Sequence, residues 1–180
     1  MTARLLATLL LLALSAAAQP GKVPSYCEVT APTLPVFTPP NGYPTEIDVN
    51  HFWFGSNRLW TSLPTDGIWR LGHYTPQDKS LWQKMFIWRM GFDPHAHVPP
   101  RLELTGKRLD GPAGPLKAHT GGASWTADDL EHSFLTAGVA IPTSGCWQIT
   151  ARYDEDELTF VVWIEEHASL REQAKSPPSE

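Results

Sequence analysis

The chain has 180 residues, with 14 Lys and Arg set against 19 Asp and Glu for a formal net charge of −5. That balance argues against a nucleic-acid partner, which needs clustered basic side chains on a phosphate backbone. With 42% hydrophobic and 18% charged residues, the chain can bury the core of a single domain.

At the amino terminus Arg4 precedes the apolar run Leu5 to Leu14 and then Ser15, Ala16, Ala17 and Ala18. This is the charge, core and small-residue order of a secretory signal peptide, residues 1–18, with cleavage expected before Gln19. The run is too short to cross a bilayer, and no later stretch is apolar enough to serve as a transmembrane anchor. Cleavage would remove one basic and no acidic residue, leaving a net charge of −6. The expected location is secreted or periplasmic.

Residues 19–50 read as a Pro-rich extended arm. Pro20, Pro24, Pro32, Pro35, Pro39, Pro40 and Pro44 exclude a helix or a central strand, leaving at most a short edge strand around Cys27 to Thr30. Cys27 and Cys146 are the two cysteines, and in an oxidising compartment they read as one disulfide; two buried free thiols are the alternative.

His51 to Arg70 is aromatic and broken by Gly55-Ser56-Asn57 and Pro64-Thr65-Asp66-Gly67, which predicts two or three short strands. Thr75 before Pro76 and Asp78 has the form of a helix N-cap. After it the period is ambiguous: Leu81, Met85 and Trp88 fit a helical face, whereas Trp82, Phe86 and Trp88 fit a strand. The enrichment in aromatics favours one helical turn leading into a strand from about Gln83 to Arg89, ended by Gly91.

Arg101 to Leu109 reads as a strand with Leu102 and Leu104 inward, and Ser133 to Ile141 as another. Asp110 to His132, rich in Gly, Pro and Ala, reads as a long connection with a short strand near Leu116. The clearest element is Gly145 to Ile164. Trp147, Ile149, Ala151 and Tyr153 alternate with polar residues, and beyond the acidic turn Leu158, Phe160, Val162 and Ile164 repeat the pattern, which predicts a β-hairpin with one buried face. Cys146 then lies on the opposite face, so its bond would pin a segment to the flank of the sheet. Residues 165–180, with Pro177 and Pro178, read as a disordered tail.

Seven or more short strands with almost no helix predict an all-β domain over 51–164, an immunoglobulin-like antiparallel β-sandwich carrying the Pro-rich N-terminal arm. The run Pro142-Thr143-Ser144-Gly145-Cys146-Trp147 resembles the turn into the penultimate strand of such domains. Several motifs sharpen the likeness: Trp53-Phe54-Gly55, Leu59-Trp60, Leu63-Pro64, Asp66-Gly67, Leu104-Thr105-Gly106-Lys107-Arg108-Leu109-Asp110, Gly145-Cys146-Trp147 and Leu158-Thr159-Phe160. As a set they resemble a family of secreted bacterial proteins of unknown function. Where such proteins show Trp-Tyr-Gly and a paired Trp-Trp, this chain has Phe54 and Ile87. The resemblance implies a fold and no activity.

Four features invite a functional reading. Eight tryptophans, among them Trp125, could supply a stacking platform. Trp147, Trp60 and Trp88 read as core, and Trp163, Val161, Trp53 and Trp82 are the candidate binding face. For Trp163 burial beneath the arm is the first reading and exposure the second. His95 and His97, two apart with Asp93 beside them, could share a metal ion, although a solvated Pro-rich loop is the default. Asp154, Glu155, Asp156 and Glu157 carry enough carboxylate for calcium, but a polar hairpin tip needs no such role. No Gly-x-Ser-x-Gly turn marks a nucleophile, so catalysis is the weaker class. The sequence therefore predicts a non-catalytic binding module without a cofactor, its partner an unknown protein or cell-envelope component. The alternative is a metal-binding protein or metal-dependent hydrolase centred on His95 and His97.

Overall fold

A computed structural model describes residues 21–73, 79–95, 101–126 and 129–167. The signal segment 1–18, the N-cap at Thr75 and Pro76, His97, and residues 168–180 of the tail lie outside the described residues. Those described form nine strands and no helix: β1 (His51–Gly55), β2 (Leu59–Pro64), β3 (Ile68–His73), β4 (Leu81–Arg89), β5 (Leu102–Arg108), β6 (Lys117–Thr126), β7 (Asp129–Ile141), β8 (Gly145–Tyr153) and β9 (Asp156–Glu166).

The strands run β1-β2-β4-β3-β9-β8-β5, with β7 paired to β4 and β6 to β7. The sheet is mixed, which corrects the expectation of a purely antiparallel one. Seven of the pairings are antiparallel, but β3 lies parallel to β9, from Ile68 beside Trp163 to Leu71 beside Glu166. Parallel neighbours need a long connection, and here most of the domain intervenes between the two strands.

Sheet order puts β1 and β9 far apart, yet Phe54 of β1 meets Phe160 of β9 with ring centroids 6.4 Å apart. The sheet must therefore fold over on itself. Its two halves bury one core, in which Leu104, Trp147, Ile149, Phe160 and Val162 join Leu59, Leu63, Met85, Ile87 and Leu135. The hairpin forms as its alternation predicts, in register from Gly145 opposite Ile164 to Tyr153 opposite Asp156. Asp154 closes it at φ 52°, the left-handed region that Asp tolerates better than most residues.

Three boundaries differ from expectation. The stretch 110–132 is mainly strand, because β6 begins at Lys117 and pairs with β7, which starts at Asp129. Two register shifts, between Thr120 and Gly122 and between Ser124 and Thr126, break the alternation that would have marked β6. Strand β4 starts at Leu81 instead of Gln83, and β9 runs to Glu166, so Glu165 and Glu166 belong to the sheet.

Residues 21–50 carry no assigned strand, including Cys27 to Thr30. They are held by the Cys27–Cys146 disulfide, by the Thr30 N–H donating to the Val161 carbonyl at 2.9 Å, and by the Val161 N–H donating to Thr30 Oγ1 at 2.9 Å. Gly67, in the turn between β2 and β3, has φ 69°, and a Cβ there would meet the side chain of Val29. Gly67→Ala is expected to lower stability by at least about 1 kcal/mol in a urea titration, since it adds backbone strain to the clash. An unchanged midpoint would mean that Val29 does not seat against this turn.

Candidate functional site

The aromatic residues singled out from sequence lie in three separate places. Trp53 packs with Trp60 and Trp88 beneath Phe37, Tyr43 and Ile47, on the side of β1, β2 and β4 away from the central core. Trp53 meets Trp88 edge to face at 4.9 Å and donates its indole N–H to the Thr45 carbonyl at 3.1 Å. Trp163 and Val161 join Cys27, Cys146, Ile68, Val23 and Val29 in another cluster, with Tyr26 edge-on to Trp163 at 6.3 Å. Trp53 and Trp163 are only 7% and 8% exposed, so both are covered and neither shares a surface with the other. Trp147 lies in the central core, whereas Trp60 and Trp88 are buried in the outer cluster.

Trp82 occupies the third place. Strand β4 is apolar on both faces: Leu81, Met85 and Ile87 enter the core, while Trp82, Lys84 and Phe86 point to the other side. That double apolar pattern is what made the segment ambiguous between helix and strand. Across the sheet surface the Trp82 ring extends over Gly138 of β7, where any Cβ would collide with it, and stacks on His119 of β6 at 5.8 Å with the planes 8° apart. Together with Lys84, Gly122 and Thr136 these residues line an open groove. Phe86, 36% exposed, extends the apolar surface toward Phe134, whose ring centroid lies 5.2 Å away.

A deeper concavity of about 590 Å³ lies on the other side of Lys84 and Phe86, and no sequence motif pointed to it. It follows from the topology. One edge of β4 is paired to β7 from Leu81 to Ile87. The other edge is shared, with β2 taking Ile87 to Arg89 and β3 taking Leu81 and Trp82. From Gln83 to Phe86 that edge meets no strand, and a cleft opens between β2, the turn after it, β3 and β4. Asn50, Ser62, Gln83 and Thr61 contribute neutral polar groups to its lining, and Trp69, Met85 and Phe86 contribute apolar surface. Thr61 is 2% exposed and donates its hydroxyl to the Phe86 carbonyl at 2.7 Å.

The Arg70 and Asp66 charges at the cleft are matched, and Lys84 adds one ammonium to its lining. Arg70 Nη1 lies 2.9 Å from Asp66 Oδ2, and its Nε lies 3.9 Å from Glu165. Partial burial opposes ionisation of Asp66, but the Ile68 N–H and the Arg70 guanidinium outweigh it and hold the carboxyl below the usual range. A polar Thr61 and Gln83 at inward-facing positions of otherwise apolar strands were the one signal of this cleft in the sequence.

The remaining sequence candidates are engaged locally. His95 is exposed, and its N–H donates to Asp93 Oδ1 at 2.8 Å within the loop. Among the described residues no three His, Cys, Asp or Glu side chains gather as metal ligands. At the hairpin tip, Asp156 contacts Arg58 and Arg89, and Asp154 contacts Arg89 and Arg101. Arg89 also lies over the Tyr153 ring at 4.6 Å. Glu155 pairs with Arg58 and Glu157 with Arg152, so four arginines neutralise the tip carboxylates.

Compared with protein-family models, with curated proteins and with solved structures, the chain matches none.

Proposed function

We propose that the protein is a non-catalytic interaction module, exported from a bacterial cell by the signal peptide at residues 1–18, which holds a protein or cell-envelope partner on the outer face of β4, β7 and β6. In this reading the domain is an immunoglobulin-like sandwich of the kind found in the secreted bacterial family its motifs resemble, with the Pro-rich arm laid along one flank. Sheet halves facing each other across Phe54 and Phe160 support the sandwich, and the Cys27–Cys146 bond supports export to an oxidising compartment.

The observation that carries the binding assignment is the placement of Trp82. Residues 37–47 cover the Trp53, Trp60 and Trp88 side of the same sheet, but Trp82 stays partly exposed over a glycine that leaves its ring room to lie across the strands. A rigid aromatic beside an open groove and a lysine is the kind of anchor that dominates interfaces.

Retention of the partner by tagged protein in native envelope extracts provides the test. Trp82→Ala is expected to weaken retention roughly 30-fold, the size of a hot-spot loss, while the variant stays folded with a modestly lowered thermal midpoint from the lost packing on Gly138 and His119. Changing His95 and His97 together to Ala should leave retention intact. Full retention by the Trp82 variant, or its loss in the double His variant together with stoichiometric metal in the wild type, would overturn the assignment.

A further inference from the structure

We propose that the cleft between β2, β3 and β4 is a binding site for a neutral polyhydroxylated ligand the size of one or two saccharide rings. It lies beside the Trp82 groove and does not depend on the function proposed for that face.

The shape of the cleft argues for a compact ligand. Its long wall is the stretch of β4 from Gln83 to Phe86, about 13 Å at the usual rise per residue, and the ladders at Trp82 and Ile87 close it at both ends. An added peptide strand could not continue past either closure, which disfavours edge pairing with an extended partner. A volume of about 590 Å³ falls within the range of small-molecule sites. Because the walls are strands pinned by ladders on their other edges, the space exists before any ligand arrives.

The chemistry argues for neutrality and for many hydroxyls. Amide side chains at Asn50 and Gln83 and the hydroxyl of Ser62 can both donate and accept, matching a ligand whose groups do the same. Gln83 is half-buried at a position that alternation assigns to the core. Arg70 and Asp66 neutralise one another, so an anion finds no uncompensated guanidinium in the cleft. Lys84 stands at the rim with its ammonium 5.3 Å from the Phe86 ring centroid. Phe86, more than a third exposed, supplies apolar surface for the C–H face of a ring, and the buried Trp69 and Met85 complete the apolar lining.

Titration of the full exported chain with glucose, galactose, N-acetylglucosamine and maltose, followed by amide chemical shifts, tests the proposal. At least one of these sugars is expected to saturate at millimolar concentration, moving the amides of Gln83, Lys84 and Phe86. Gln83→Leu should weaken that binding about tenfold, the loss of one or two buried hydrogen bonds. Asn50→Ala, at an exposed position, gives a second variant in which folding is not at issue, and it should weaken binding in the same direction. Trp82→Ala should leave it unchanged. The proposal fails if none of the four sugars binds, if succinate or inorganic phosphate binds as tightly, or if Trp82→Ala abolishes binding while Gln83→Leu and Asn50→Ala do not.

Discussion

Replacing Cys27 and Cys146 together with alanine is expected to lower the unfolding free energy by about 4 to 5 kcal/mol, the chain-entropy value for a loop longer than 100 residues. The cross-link spans 119 residues, so it restricts most of the unfolded domain. Its folded-state role is narrower: it fastens residues 21–30 to the flank of β8 and β9, where Val23 and Val29 pack on Cys146, Ile68 and Trp163. Both cysteines are under 5% exposed, so alanine also forfeits packing there. A guanidinium titration of the double variant against the wild type measures the total. Hydrogen exchange at Thr30 and Val161, whose backbones are bonded to each other, separates local release of this segment from global destabilisation. A total loss under about 1 kcal/mol would mean that the unfolded chain is already compact around this link, against the entropic account.

How much of this architecture can be read from residue order depends on where its determinants lie. The hairpin from Gly145 to Glu166 is legible because its period of two is unbroken and its turn is short. Cys146 could be placed on the flank for the same reason, and the structure puts it in a cluster apart from Trp147. Strand β6 was hidden by Gly121 and Gly122 and by its two register shifts, which remove the alternation a pattern search relies on. The parallel pairing of β3 with β9 leaves no local mark, since nothing near Ile68 or Trp163 in sequence specifies the other. Trp82 was recognisable as a candidate binding aromatic, but the strand was expected to begin only at Gln83, and the room the ring needs comes from Gly138, 56 positions away. The cleft was the least legible feature. Its residues come from Asn50 through Phe86, and it exists only because β2 and β3 divide one edge of β4 between them.

Phe160→Ala is expected to cost about 3 to 5 kcal/mol, as truncation of a fully buried aromatic does when its surroundings relax only partly. Phe160 is 1% exposed and sits where the folded sheet closes on itself: Ile149 opposes it on β8, Phe54 approaches from β1, and Trp69 approaches from β3. Neighbours drawn from both halves of the sheet cannot all move into the vacated space without shifting strands pinned by their ladders, so the cavity term should be retained nearly in full. Phe160→Leu keeps most of the volume and loses the edge-to-face contacts, and should cost roughly half as much. Phe86→Ala provides the contrast on the outer face, where the ring is already 36% exposed and truncation should cost no more than about 1 kcal/mol. A denaturant titration of the three variants would show the order Phe160→Ala, Phe160→Leu, Phe86→Ala. If Phe86→Ala proved the most damaging, the inward and outward faces of the sheet would be exchanged, and the groove beside Trp82 would belong to the core.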